Sequence, residues 1–312
     1  MKTLLFYRDI PVLRGATVKV WDYFVHTGYS QDYAPKINFS EGTLWDDSNP
    51  WLHIRDSAWP TWDVKKADAV FLSGFDWDKV EWQSLKSQVP VINIIQHVRH
   101  ANPSDRRYQF LPRKAVRICV SQEISALVEE TGRANGPIYT VPIGLDSSAL
   151  PLPKPYGERD IPILIAGMKN PAIAEEIALS LSQRGIDHEL LISFLPRAVF
   201  LDKLARARIA VILPMAIGEG FFTVPLEAMA LGALVVSADV PGNRISCIDG
   251  VNSFRPSYAA EEILQAILRA DSLSDAEAEG FKRAGLKMVA DHNIAQERRG
   301  FLEILEDLEQ IW

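Results

Sequence analysis

The sequence predicts an α/β chain of two doubly wound, parallel-sheet halves, and three observations carry that expectation. Continuous apolar runs alternate with segments of helical period, a proline-rich stretch divides the chain near its middle, and the chain turns mostly helical after residue 258. Apolar runs without alternation mark strands buried on both faces, as in a parallel sheet covered by helices on each side.

The second half shows the order most cleanly. Residues 161–167 (IPILIAG) read as a buried strand. Asn170 and Pro171 follow as helix cap and first-turn proline, Ile173, Ile177 and Leu181 recur at helical spacing, and Gly185 stops the helix. HELLISF, the helical AVFLDKLARAR, the strand IAVILP, the helix VPLEAMAL closed by Gly232, and the strand LVVSA continue the alternation. In the first half TLLFY, AVFLSG, PVINIIQ, VRICVS and IYTVP read as strands, and ATVKVWDYFVH, WDKVEWQSLKS and SQEISALVEETG as helices. Between residues 38 and 68 the period is lost. Trp45, Trp51, Trp59 and Trp62 there read as anchors pinning a long loop, with an acceptor pocket as the functional alternative.

Residues 147–160 (SSALPLPKPYGERD) carry three prolines and little period, so they form the expected linker. Residues 1–150 then make an N-terminal Rossmann-like domain and 151–290 a C-terminal one. In the final helix, residues 291–312, Phe301, Ile304, Leu305, Leu308 and Ile311 lie along one stripe that must pack against another element.

Composition narrows the function. The 312 residues are 47% hydrophobic and 23% charged, with a formal net charge of −7, which argues against nucleic acid as a partner. Cys119 and Cys247 both sit in apolar runs, so no disulfide framework is implied and a reducing cytoplasm fits. MKTLLFYRDIPVL reads as a first strand rather than a signal peptide, and no apolar stretch is long enough to span a bilayer.

The segment 218–236, GEGFFTVPLEAMALGALVV, puts two acids where core is expected. Glu219 lies in the loop beyond the carboxyl end of the strand IAVILP, where open α/β sheets bind ligands. The helix begins about Thr223. Glu227 falls in its first turns, where side chains lean back toward the same end. Two carboxylates at a helix start suit a ligand with many hydroxyls and a phosphate: carboxylates accept from a ribose diol, and the helix N-terminus favours negative charge.

The same residues resemble a known family. EGFFTVPLEAMALGALVVSADVPGN is similar to the E-x7-E segment of retaining GT-B glycosyltransferases of family 4 type. IDGVNSF at 248–254, VPIGLD at 141–146 and VRICVSQEISALVEETG at 116–132 resemble further stretches of that family, while the first 90 residues match weakly. The resemblance implies two Rossmann-like domains facing a cleft, with the C-terminal helix crossing back to the N-terminal domain. It implies transfer of a sugar from a nucleotide diphosphate donor with retention, and no cofactor or metal. The acceptor would be a glycan, a lipid-linked sugar or another hydroxyl compound. It further implies that Glu227 holds the donor ribose. Glu219, with the amides of Gly220, Phe221 and Phe222, would hold the sugar, with Thr223 alongside, and His97 would face the sugar from the N-terminal domain. Gly15, in LRGATVKV, and Gly167 correspond to glycines near the phosphates. Where the family commonly carries arginine and lysine, AGMKNP has Met168 and Lys169, so Lys169 is left to offset the leaving charge and Arg244, in PGNRIS, is the candidate second cation.

Other signals compete. Asp76-Trp77-Asp78 is a D-x-D pair of the kind that binds a metal-held diphosphate in another glycosyltransferase fold, but Asp76 also reads as a helix cap and Asp78 as a first-turn acid. Arg99, Arg106, Arg107, Arg113, Lys114 and Arg117 cluster, with Tyr108, Phe110 and Leu111 interleaved. A solvated basic face is the plain reading. Peripheral contact with the inner membrane face or a lipid-linked acceptor through 99–117 is the functional one. No G-x-G-x-x-G after a strand, P-loop, paired C-x-x-C or G-x-S-x-G occurs. A nucleotide-sugar epimerase and a non-catalytic sugar-nucleotide or glycan-binding protein remain as alternatives on the same scaffold.

Overall fold

The computed structural model describes residues 1–10, 15–47, 49–79 and 89–312. The chain divides into two units, Met1–Pro142 with Ala295–Trp312, and Ile143–Ile294. The break falls after Pro142 rather than at residue 150, and local bonding explains why. Leu145 pairs with Asn293, its amide donating to the His292 carbonyl at 2.7 Å. Arg159, 5% exposed, donates to the carbonyls of Ala207 at 2.6 Å and Leu231 at 2.5 Å. The proline-rich stretch is therefore fastened to the second unit at both ends instead of hanging between two.

The first unit contains β1 (Lys2–Arg8), α1 (Gly15–Thr27), β2 (Tyr33–Phe39), β3 (Ala69–Ser73), β4 (Val91–Ile95), β5 (Val116–Cys119), α2 (Gln122–Glu130) and β6 (Ile138–Thr140). Its strands form one parallel sheet in the order β2-β1-β3-β4-β5-β6, with Leu5 opposite Val70 and Phe71 opposite Ile92. β2 is not expected from the sequence: YAPKINF carries Pro35, which lacks a ladder donor. An edge strand tolerates it, and β2 is an edge. The expected helix at 77–87 lies largely outside the described residues.

The tryptophan-rich segment is an anchor. Trp51 is fully buried and meets Trp21 edge-on at 5.2 Å, Trp45 meets Phe39, Trp62 meets Tyr7, and Trp59 packs against the core formed by Leu5, Val70 and Trp77. The C-terminal residues belong to this unit as α8 (Ile294–Glu306) and α9 (Leu308–Ile311), where Phe301 packs on Tyr23 and Phe71. Glu297 joins the contact, accepting from Lys19 Nζ at 2.8 Å and meeting His26 Nε2 at 3.1 Å. Burial pushes the Glu297 carboxyl up, but Lys19 and His26 outweigh it and hold it below its ordinary value.

The second unit runs β7 (Ile161–Ala166), α3 (Pro171–Gln183), β8 (Glu189–Leu191), α4 (Arg197–Arg206), β9 (Ala207–Ile212), α5 (Val224–Ala230), β10 (Leu234–Ser237), α6 (Ala260–Asp271) and α7 (Asp275–Asp291). Its parallel sheet has the order β10-β9-β7-β8. Ile163, Ile165, Val211 and Val236 form one face with Ile177 and Leu181 of α3 and Ile263 and Ile267 of α6, while α4 and α5 contact the sheet from outside that cluster. From β7 the chain steps to β8 on one side and returns to β9 on the other. The carboxyl ends of β7 and β9 stay paired, Ala166 opposite Ile212, but the connections that leave them run to opposite faces of the sheet, which makes a switch point, the place where such sheets take ligands.

Candidate functional site

Three connections leave the carboxyl ends of β7, β8 and β9, and each carries a charged side chain of interest. After β7, Gly167 lets α3 lie close: a Cβ there would come within 2.1 Å of the Ala174 Cβ. Lys169 and the cap residue Asn170 follow. Pro171 opens α3, where the missing amide hydrogen costs nothing. After β9 the chain passes Gly218, at φ +97°, and reaches Glu219 before α5 starts at Val224. Thr223 occupies the N-cap position without a side-chain cap bond, and Gly220 lies buried in the preceding bend.

Glu219 and Lys169 meet. The Lys169 Nζ donates to Glu219 Oε1 at 2.6 Å, and the Met215 amide donates to the same oxygen at 3.0 Å. Both bonds fall on Oε1, which leaves Oε2 to accept from a ligand. Lys169 also stands 4.3 Å from the centre of the Phe222 ring. The backbone on either side is fixed by a second loop: the Glu219 amide donates to the Pro241 carbonyl and the Phe222 amide to the Gly242 carbonyl, each at 2.8 Å. Of the amides expected to face a sugar, that of Phe222 is thus committed to loop packing. Phe221 is buried and meets His292 edge-on at 5.3 Å. Tyr258 braces the same corner, donating to the Pro214 carbonyl at 2.5 Å. Burial raises its phenol, which favours the protonated donor.

Glu227, 3% exposed, accepts at Oε1 from Arg197 Nη2 at 2.9 Å, while its Oε2 is buried without a hydrogen-bond partner. The two acids share one pattern: a cation from a neighbouring βα connection holds one oxygen, and the other oxygen is left over. Arg197 was not singled out from the sequence. The available signal was its place, since the first residue of a helix faces the positive end of the helix dipole, an unfavourable position for a cation with no anion nearby.

Arg244, Gly15 and His97 are the remaining expected site residues. Arg244 makes a two-pronged pair with Asp239, Nε to Oδ1 at 3.0 Å and Nη2 to Oδ2 at 2.9 Å, which holds the Asp239 carboxyl below its usual range. Gly15 is the first residue of α1. In the first unit His97 closes the end of β4, its Nδ1 accepting from the Arg99 amide at 3.2 Å, so the ring proton sits on Nε2.

The D-x-D pair serves the first unit's structure. Asp76 is the third residue of a 3-10 turn, Gly74–Asp78, capped reciprocally by Ser73, and its Oδ2 accepts from Arg8 at 3.1 Å; the helix it is expected to cap lies largely outside the described residues. Asp78 accepts from Arg106 at 2.7 Å. Among the described residues no three His, Cys, Asp or Glu side chains gather as a metal site.

The basic segment turns much of its charge inward. Arg117 is fully buried, donating to Asn93 Oδ1 at 2.6 Å and to the carbonyls of Phe110, Leu111 and Arg113. Phe110 and Leu111 are buried as well, which leaves Tyr108, half-buried, as the interleaved ring nearer the surface. Arg107 is chelated by Asp105 at 2.9 and 3.0 Å. No helix among the described residues is long and apolar enough to cross a membrane.

Residues 148–271 match the family model described as Glycosyl transferases group 1, so the match lies inside the second unit. No curated protein matches the chain by sequence. Among solved GT-B structures, sucrose-phosphate synthase from Thermosynechococcus elongatus is 12% identical at a TM-score of 0.74, covering 99% of both chains. Anabaena HepE in complex with UDP-glucose is 14% identical at a TM-score of 0.74, over 99% of this chain and 100% of that one. The α,α-trehalose 6-phosphate synthase of Burkholderia multivorans is 12% identical at 0.67, over 99% of each. The chain has the GT-B fold that its sequence predicts.

Proposed function

We propose that this chain, a GT-B protein whose second unit carries a group 1 glycosyl transferase domain, transfers a sugar from a nucleotide diphosphate donor to a hydroxyl acceptor with retention at the anomeric carbon and without a metal. The observation that carries the reading is the pair of half-satisfied acids, Glu219 and Glu227, each oriented by a cation at the carboxyl edge of the second sheet. That HepE has been solved with UDP-glucose makes a UDP-sugar the first donor to try.

The geometry supports a division of labour. Glu227 Oε2 accepts from the donor ribose, which relieves a buried carboxylate oxygen of its missing partner. Glu219 Oε2 accepts from hydroxyls of the transferred sugar. Lys169, beside the start of α3, offsets charge on the departing diphosphate together with the amides of that helix start. In the step itself the bond from the anomeric carbon to the diphosphate oxygen breaks as the bond to the acceptor oxygen forms on the same face. The acceptor proton passes to the departing oxygen. No side chain forms a covalent intermediate, and positioning and preorganised charge supply the rate. The acceptor would be a glycan, a lipid-linked sugar or another hydroxyl compound, and His97 of the first unit is the candidate contact for the transferred sugar.

The test has two parts. A thermal-shift panel of UDP-, GDP-, ADP- and dTDP-sugars, with and without EDTA, identifies the base, because a ligand that binds only the folded state raises its melting temperature. An unchanged shift in EDTA is expected. Glu219→Ala is expected to abolish release of nucleotide diphosphate from the identified donor, and Glu227→Ala mainly to raise its KM. Parent rate and parent KM in both variants would end this assignment.

A further inference from the structure

We infer that Arg197 is a donor-binding residue whose guanidinium contacts the phosphate next to the ribose while it holds the ribose-binding Glu227 in place. The inference rests on the nucleotide-sugar reading above and extends it to a residue which that reading does not need.

Its position is the first reason. Arg197 opens α4, a ten-residue helix, so its charge adds to the positive end of the helix dipole. Glu227 supplies only one balancing charge, and the helix start asks for more. An anionic ligand fits that surplus.

Its geometry is the second. The Arg197 side chain is 52% exposed and its bond to Glu227 uses Nη2, whereas the Glu227 side chain is only 4% exposed. A guanidinium carries five donors in a planar fork, so most of the fork remains toward solvent while one prong is fixed from below. Fixing one prong removes much of the ordering cost of a second contact.

The third reason is the orphaned Glu227 Oε2 on the same carboxylate. A hydroxyl donor that satisfies it arrives beside the guanidinium. The ligand chemistry that meets both groups is a polyol carrying an anionic group close by, which describes a nucleotide's ribose and its first phosphate. Planar two-pronged donation suits phosphate better than a point charge does. Arg244, the second cation that the sequence suggested for the phosphates, is already chelated by Asp239.

Calorimetric titration of UDP, GDP, ADP and dTDP, and of the four matching nucleosides, into the parent, Arg197→Ala, Arg197→Gln and Arg197→Lys tests this. Thermal melts confirm that each variant is folded, and the glutamine variant stands in should alanine fail. For the diphosphate that binds the parent, loss of the guanidinium is expected to weaken binding about ten- to hundredfold. The matching nucleoside should lose several-fold less, and lysine should recover part of the loss. The slope of log Kd against log salt should flatten in Arg197→Gln. Unchanged diphosphate affinity in Arg197→Ala and Arg197→Gln would overturn the inference while leaving the function standing. Equal losses for diphosphate and nucleoside would also overturn it, reducing Arg197 to a support for Glu227. A parent that binds none of the four diphosphates would overturn the function first and this contact with it.

Discussion

Gly242→Ala reaches the site without touching any ligand. Gly242 has φ +94°, and a Cβ on it would lie 2.5 Å from the Glu219 carbonyl oxygen and 2.7 Å from its carbon. The backbone conformation alone costs an L-residue about 1–3 kcal/mol. The overlap is with main chain, which cannot rotate away, and forced repacking of that kind costs about 1–3 kcal/mol more. Gly250→Ala is the control, since Gly250 has φ +70° and nothing within 4 Å of its would-be Cβ. It should lose only about 1–2 kcal/mol. The excess of Gly242→Ala over Gly250→Ala therefore isolates the push against Glu219, and each kcal/mol lowers the melting temperature of a domain near 150 residues by roughly 2–4 °C. All eight tryptophans fall outside Ile143–Ile294. Tryptophan fluorescence thus follows the first unit, and far-UV circular dichroism supplies the remainder. The displaced loop carries the Glu219 and Phe222 amides, so donor binding should fall along with stability. Equal melting temperatures for the two variants, with parent donor affinity in Gly242→Ala, would refute the claim that the 239–243 loop sets Glu219.

The first unit should hide two opposed titrations. Burial pushes Asp76 up to about 6 and His100 down to about 4. Asp76 stays protonated in the fold where the unfolded chain has lost the proton, so it removes stability as pH rises from about 4 to 6; His100 stays neutral where the unfolded chain is charged, so it removes stability as pH falls from about 6.5 to 4. Asp76→Asn should expose the acid lability of His100, and His100→Gln the reverse slope, each by of order 1–3 kcal/mol in urea titrations followed by tryptophan fluorescence; parallel profiles for both variants and the parent would reject the assignment. Arg117→Met should cost about 1–3 kcal/mol in the same titrations, because the buried acceptors of the guanidinium lose their donor, and should leave sedimentation with anionic vesicles unchanged. Lys169→Ala should lower turnover about tenfold to a thousandfold at saturating donor, with Lys169→Arg retaining part of it.

What the sequence made legible follows from which forces act locally. Strands buried on both faces write themselves as unbroken apolar runs, and the helix-start acids show because charge in core-forming sequence is conspicuous. β2 escaped because Pro35 reads as a breaker, and only its place at the sheet edge makes it harmless. Arg117 reads as surface charge because a sequence displays the guanidinium but not the Asn93 side chain that receives it from a neighbouring strand. The linker misreads for the same reason: three prolines are visible, while the Arg159 bonds to Ala207 and Leu231 are not. Long-range polar pairing is the common omission. It also hid Arg197, which is thirty positions from its partner in the chain.

Charge balance explains why Met168 need not disable the site. Before a donor arrives, Lys169 is matched by Glu219 and Arg197 by Glu227, and the side-chain charges cancel. Hydroxyls that bond to the two acids do not neutralise them, so a diphosphate would bring uncompensated negative charge to a balanced set of side chains. What remains to receive it is the positive end of α3 and of α4, each with a cation at or beside its start. Two dipole ends and two shared cations can do the work of one dedicated arginine, but more weakly and with stronger dependence on ionic strength. A donor whose affinity falls steeply with salt, and whose diphosphate leaves readily once the sugar is transferred, is what such an arrangement favours.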